Sequence, residues 1–369
     1  MREWSFYMPT KVHFGERILK REAGVIAAYG KNAFVVTGKS SSKRNGSLDD
    51  LLDILKELDL KVNIFDEVEE NPTFSLVENA AEECRRVGAD VVIGVGGGSP
   101  LDTAKAVAIL AVNEFLKPEE LYDSSNYSRA LPIIAVPTTA GTGSEVTQYS
   151  VLTSNGGRKG GFASPLNFPK HAFVDPRYTL TMSHELTAAT AVDALSHAME
   201  GILSSHSTPL SDTLAQKAVE LIYEYLPRTL NESDNLEFRS KLMLASTLAG
   251  MVIAQTSTTV IHAMGYHLTT FKGLKHGIAN GLIMVETLKH IRKFAPEVVE
   301  KALGPFESEE ILREFLERVG IYEANVTATE GELASWADVV LKASHIKRTP
   351  GIFTKSDIIA IYALSLKQG

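Results

Sequence analysis

Several shortages bound what this 369-residue chain can be. It has one cysteine, Cys84, so no intrachain disulfide forms and a reducing compartment fits. Cations are not in excess: 37 Lys and Arg against 45 Asp and Glu leave a net charge of −8. That balance removes the electrostatic basis for non-specific nucleic-acid binding. No apolar run is long enough to span a bilayer, and the opening residues lack the apolar core of a signal peptide. Internal repeats and low-complexity linkers are also missing. What remains, 44% hydrophobic and 22% charged, places the chain among globular proteins with room for two domains. The expected setting is the cytoplasm. Cys84 falls on the apolar stripe Leu76, Val77, Ala80, Ala81, Cys84, Val87 and is expected in a core.

Residues 1–180 alternate strand and helix patterns. Asn32–Gly38, Lys61–Val68, residues 90–94 and residues 131–139 read as strands, with residues 171–175 as a last short candidate. Between them run helical patterns, among them Leu48, Leu51, Leu52, Leu55, Leu58 and a helix capped by Thr73 that stops at Gly88. This rhythm predicts a parallel sheet covered on both faces, with its ligand at the carboxyl ends of the strands.

Gly96, Gly97, Gly98 and Ser99 leave one strand and open a helix, the arrangement that brings backbone N–H groups and a helix N-terminus to a pyrophosphate. The competing reading is a tight turn with Ser99 as N-cap, Pro100 at N1 and Asp102 completing a capping box. A second loop, residues 137–145, offers Thr138, Thr139, Thr142 and flexible glycines after the next strand. After residues 35–37 comes Gly38-Lys39-Ser40-Ser41-Ser42-Lys43-Arg44, without an acid and with hydroxyls and cations. A carboxylate at such a position binds a ribose 2′-OH, so its absence, with Lys39, Ser40 and Lys43 close by, points to NADP over NAD.

From Ser183 onward the pattern is helical almost to the end, as in residues 214–226, 241–254 and 311–319. A domain boundary near residue 180 follows. Within the apolar run 187–204, Asp193 and His197 are four residues apart and share a helix face. His262 and His276 lie in apolar surroundings further on. One carboxylate and three imidazoles suit Fe(II), Zn(II), Mn(II) or Ni(II), whereas isolated histidines of this kind are more often hydrogen-bonded core.

Together these motifs resemble the iron-containing (group III) alcohol dehydrogenase family over essentially the whole chain. The residues that carry the resemblance are Gly96-Gly97-Gly98-Ser99 with Asp102, residues 137–145, Asp193-Ala-x-x-His197-x-x-Glu200, and His262 and His276 fourteen apart. The resemblance implies an α/β Rossmann-like parallel-sheet domain over residues 1–180 and an all-α domain over 181–369, the dehydroquinate synthase-like architecture. It implies Asp193, His197, His262 and His276 as metal ligands, and Gly97, Gly98, Ser99, Thr138, Thr139 and Thr142 as cofactor contacts. Lys159 matches a family lysine near the cofactor ribose. Where many members carry a second histidine four residues after the first, this chain has Tyr266, and His267 follows one residue, or about 100° of helix, later. Either could take part in catalysis, or Tyr266 could fill space.

The activity expected is hydride transfer between NAD(P)(H) and a small alcohol or aldehyde, a diol included, with the metal polarising the substrate oxygen. Fe(II) is expected and Zn allowed. A second copy of the chain is the expected partner, with neither nucleic acid nor membrane. Tyr149, Val151, Phe162 and Tyr266 are candidate pocket residues. The alternatives are a sugar-phosphate lyase or cyclase of the dehydroquinate synthase type, which needs cations near the metal where only Lys272 and Lys275 are in reach, and a nucleotide-binding protein with a structural metal.

Overall fold

β-Branched and aromatic runs in the first half pair as strands, and leucine- and alanine-rich amphipathic stretches between them cover the faces. The computed structural model describes residues 3–157 and 159–366. In chain order the strands are β1 (Lys11–Phe14), β2 (Asn32–Gly38), β3 (Lys61–Val68), β4 (Val91–Gly96), β5 (Ile133–Pro137), β6 (Tyr149–Thr153), β7 (Lys159–Ala163) and β8 (His171–Val174). Six of them form one sheet, in the order β1-β8-β5-β4-β2-β3 and parallel throughout, while β6 and β7 form a separate antiparallel pair. The helices among them are α1 (Ile18–Glu22), α2 (Ser41–Arg44), α3 (Ser47–Glu57), α4 (Phe74–Arg86) and α5 (Gly98–Leu110).

The two sides of the sheet bury different cores. Val35, Ile93 and Val136 join Leu51 and Leu55 of α3, while Phe34, Val36 and Val92 join Val77 and Cys84 of α4 and Val107 of α5. Burial pushes the Cys84 thiol up to about 12, so it stays protonated and serves as filler. Phe162, a pocket candidate from the sequence, is instead buried in this second core against Tyr122, at 5.9 Å between ring centroids.

The second half is helical among the described residues: α6 (His184–Leu203), α7 (Pro209–Asn231), α8 (Leu236–Thr256), α9 (Val260–Lys272), α10 (His276–Arg292), α11 (Pro296–Leu303), α12 (Glu309–Arg318), α13 (Glu330–Val340), α14 (Ser344–Arg348) and α15 (Lys355–Ser365). From Thr187 to Leu203 every residue of α6 except Thr190 is buried, because α7, α8 and α10 pack around it. A helix buried on all sides reads as uniformly apolar, which is why α6 shows so little amphipathic pattern. Among the described residues, no single helix is long and apolar enough to cross a membrane.

The chain divides into two units, Met8–Met182 and Ser183–Gly369 with Met1–Tyr7. The first residues, grouped by the sequence with the sheet, belong with the helices. The reason is local: the Tyr7 amide donates to Gln255 Oε1 at 3.0 Å and Gln255 Nε2 donates back to the Tyr7 carbonyl at 2.8 Å.

Candidate metal centre and dinucleotide loops

Helix α6 carries Asp193, His197 and Glu200 at i, i+4 and i+7, all buried on one face. Its N-terminus is fixed by Ser183, whose Oγ accepts from the Leu186 amide at 3.2 Å. Helix α9 brings His262 after a sharp turn from α8, made where Ser257 takes φ +58°. Helix α10 begins with His276, and its next residue is Gly277. A Cβ on Gly277 would lie 1.8 Å from the Ala189 carbonyl oxygen of α6, so only glycine lets α10 come close enough to deliver His276.

These elements converge on one atom. Asp193 Oδ1 has His197 Nε2 at 3.9 Å, His262 Nε2 at 3.8 Å and His276 Nε2 at 3.9 Å. One ligand atom each from Asp193, His262 and His276 lie within 4.8 Å of one another. Ligands about 2.1 Å from a shared ion stand roughly 3–4 Å apart, near the 3.8–3.9 Å spacing seen, which is longer than a hydrogen bond. The rings are also packed: His197 stacks on His262 at 4.8 Å and His276 meets it edge-on at 5.0 Å. One carboxylate and three imidazoles, without a thiolate, therefore fit a borderline divalent metal such as Fe(II).

Glu200 is a residue the sequence reading left without a role. Its carboxylate, fully buried, is bonded to His262 Nδ1 and accepts from the Thr259 amide and hydroxyl, both at 2.7 Å, and from the His262 amide at 3.3 Å. Burial pushes this carboxyl up, but the neighbouring His262 charge and the bonds from His262 and Thr259 outweigh it and hold it below its usual range. A carboxylate on Nδ1 fixes the tautomer and aims Nε2 at the Asp193 oxygen. The i+7 spacing from Asp193 was the signal that could have found it. Asn280 braces the other side, its Nδ2 donating to Asp193 Oδ1 at 3.2 Å.

Tyr266 and His267 part company. Tyr266 stacks on His276 at 5.2 Å and meets His262 edge-on at 6.4 Å, so it borders the cluster. His267 points to an aromatic group instead, stacked on Trp336 at 5.8 Å and 3.2 Å from the Tyr362 hydroxyl through Nδ1. Burial lowers its basicity, and one residue of helical rotation accounts for the different direction.

In the sheet unit, the strand order reverses between β2 and β4: the chain leaves β2 outward to β3, then returns to the other side of β2 as β4. Gly38 ends β2 and Gly96 ends β4, so the two loops flank the switch point, where open parallel sheets bind ligands. Gly96 takes φ +148°, and a Cβ there would lie 2.6 Å from Pro100. Helix α5 starts at Gly98 with Gly97 as N-cap and no side-chain cap bond. The expected capping box is therefore absent. Ser99 lies inside the first turn, and Asp102 turns to Ser144 Oγ, which donates at 2.7 Å, and to the Val151 amide, which donates at 2.9 Å. Burial pushes the Asp102 carboxyl up, countered by Lys105, Ser144 and Val151, with Lys159 of β7 also near enough to contribute. Thr139 and Thr142 face the glycine loop, their side chains 3.2 and 2.9 Å from where Cβ atoms on Gly97 and Gly98 would stand, and Thr138 is buried. Lys39 and Lys43 are each paired with a carboxylate, Glu69 and Asp66 (the latter at 2.6 Å), and Ser40 stands exposed at the N-cap of α2.

Comparison with known proteins agrees with both halves. Residues 9–176 match the iron-containing alcohol dehydrogenase family and residues 187–366 its C-terminal domain. The long-chain primary alcohol dehydrogenase of Thermoanaerobacter ethanolicus is 35% identical over 74% of this chain and 69% of its own length. The 1,3-propanediol dehydrogenase of Klebsiella pneumoniae is 35% identical over 72% of this chain and 68% of its own. The crystal structure of an iron-containing alcohol dehydrogenase from Thermotoga maritima superposes with a TM-score of 0.94 at 50% identity, over 99% of each chain. A parallel-sheet domain joined to a helical one, an acid–histidine cluster and these matches over both domains lead to one conclusion: the chain belongs to the iron-containing alcohol dehydrogenase family.

Proposed function

We propose that the family's metal-dependent alcohol dehydrogenase activity is carried here by Asp193, His197, His262 and His276 as iron ligands, acting on a small alcohol or aldehyde, diols included. The observation that carries this reading is the meeting of three imidazole Nε2 atoms around one carboxylate oxygen. A ferrous ion held there supplies Lewis-acid polarisation of the substrate oxygen, and a nicotinamide dinucleotide supplies or accepts the hydride. The chain does the rest. Glu200 holds His262 in the tautomer that presents Nε2, and Asn280 steadies Asp193. Tyr266 walls the site through its stacking on His276 and is within the region where a phenol could bond a substrate oxygen.

Gly96, Gly97, Gly98, Ser99 and the N-terminus of α5 offer backbone donors to a pyrophosphate, with Thr138, Thr139 and Thr142 beside them. The stretch from Gly38 to Arg44 itself carries no acid. Lys39 and Lys43 must exchange Glu69 and Asp66 for a 2′-phosphate. Exposed pairs of this kind are worth about 0–1 kcal/mol, so NADPH is favoured over NADH by a modest factor. The lyase or cyclase alternative is not favoured: Lys272 is paired with Glu332 and Lys275 with Glu185. Elemental analysis of anaerobically purified protein, followed by NADH and NADPH oxidation with short aldehydes, tests the reading. Iron near one per chain and aldehyde-dependent oxidation are expected; metal-free protein with full turnover would sink it.

A further inference from the structure

A lysine in the sheet unit is used neither by the metal centre nor by any surface. Lys105 lies on α5, fully buried, and spends its ammonium on one neighbourhood. Its Nζ donates to Ser144 Oγ at 2.7 Å, to the Tyr149 carbonyl at 2.7 Å and to Thr147 Oγ1 at 3.3 Å. Lysine is almost never fully buried unless it is paired, because desolvating the charge costs free energy that good partners must offset. An apolar side chain of the same length would fill the volume without that cost, so the charge has a task beyond packing.

Ser144 accepts from Lys105 and donates to Asp102 Oδ1, three residues earlier on the same helix. Asp102 Oδ2 takes the Val151 amide, and the Asp102 carbonyl takes Ser150 Oγ at 2.9 Å. Residues 144–151 are thereby tied to α5 by six hydrogen bonds. On the front of the same assembly, Thr139 and Thr142 press against Gly97 and Gly98 so closely that an added Cβ would meet them at 3.2 and 2.9 Å. The two loops therefore face one another across a space too narrow for a side chain on either glycine, and where the threonine loop stands sets the surface they present together.

We propose that Lys105 is a positioning residue for dinucleotide binding: through Ser144 and Asp102 it fixes the 138–147 loop against the first turn of α5. It never touches the dinucleotide itself, because its three protons are committed to the protein. The inference rests on the reading of these two loops as the dinucleotide site.

The test uses full-length, iron-loaded protein and titrates NADH and NADPH by nicotinamide fluorescence, with iron content and melting temperature measured on the same preparations. Lys105→Met removes hydrogen bonds from a charged donor, so the Kd of both dinucleotides is expected to rise about tenfold or more. Iron content stays at the wild-type level, and KM for the dinucleotide rises more than kcat falls. Ser144→Ala shifts Kd in the same direction by less, and the double variant is no worse than Lys105→Met alone, the non-additivity of one shared network. Lys105→Arg, which keeps the charge, recovers part of the affinity. If Lys105→Met lowers the melting temperature but binds both dinucleotides as the wild type does, the positioning role is overturned. Should Lys105→Met fail to fold, an unchanged Kd in Ser144→Ala overturns it equally. A wild-type protein that binds neither dinucleotide would overturn the functional reading instead.

Discussion

His13 and His171, on β1 and β8, answer each other: His13 Nε2 lies 3.0 Å from His171 Nδ1, and His171 Nε2 lies 3.0 Å from the Tyr29 hydroxyl. Both rings stack on Phe173. In the helical unit, His197, His262 and His276 behave differently, each placing Nε2 3.8–3.9 Å from one oxygen of Asp193. Both groups are drawn from short apolar stretches and look alike in sequence. The first is a linear chain of hydrogen bonds running from His13 through His171 to the Tyr29 hydroxyl. The second brings like atoms towards a common point at a spacing longer than a hydrogen bond, and backs one of them with a carboxylate. Convergence, not burial, is what sets the cluster proposed to hold the metal apart from the core histidines.

The contrast breaks most visibly by removing one member from each group. Asp193→Asn keeps the volume and deletes the charge at the point of convergence. Loss of an outer-shell partner alone weakens metal binding about 10–100-fold, so loss of the carboxylate proposed as a ligand is expected to cost more than about a hundredfold in turnover, with iron content falling in parallel. His13→Gln should lower the melting temperature while iron content and kcat stay at wild-type values. Iron retained at full stoichiometry in Asp193→Asn, or lost in His13→Gln, would erase the distinction.

A finer cut lies at Glu200, since only the helical cluster has a buried carboxylate behind an imidazole. Glu200→Gln can still accept from Thr259 but cannot hold His262 by charge. Iron affinity, measured by competition with a chelator, is expected to drop about 10–100-fold while the fold persists. Unchanged affinity would make the Glu200–His262 contact a structural bond like that between His13 and His171.

How much of this was legible beforehand follows from which interactions are local. The spans of β2 and β3 and the Thr73 cap of α4 are written in short-range patterns, and the structure has them at the same residues. The β6–β7 pair escaped notice because β7 reads Lys-Gly-Gly-Phe-Ala, with too little β-branched character to signal a strand. Asp102 resembled a cap because its partners, Ser144 and Val151, lie more than 40 residues away. The acid–histidine spacing placed Asp193 and His197 on one helix face, as the structure has them, but their meeting with His276 depends on Gly277 admitting α10 to the α6 backbone, a contact that no spacing within α6 encodes. The basic stretch after Gly38 was visible, whereas the acids Glu69 and Asp66 that neutralise it come from the next strand and the residues after it.

The smallest effect is expected from pH, and it isolates the sheet cluster. Burial, chiefly, with the charge of Lys11 added, lowers the basicity of His13 against a weaker opposing pull from Glu22. Burial likewise lowers His171, helped by His13 and Lys11, with Tyr29 as its remaining polar neighbour. In the unfolded chain both imidazoles titrate near pH 6.5. Above that value both are neutral in either state and the pair contributes its full stability. As pH falls below it, the unfolded chain takes up protons that the folded pair refuses, and stability declines towards the lower folded values. The melting temperature of the sheet unit should therefore fall between pH 7.5 and 5, by roughly 2–4 °C for each kcal/mol lost in a unit the size of Met8–Met182. Metal ligands also compete with protons for their metal, so the measurement belongs in the Asp193→Asn background, where that contribution has been removed. There the His13→Phe, His171→Phe double variant should flatten the acid slope relative to its parent. A slope that stays as steep would mean that the pair in the sheet does not carry it.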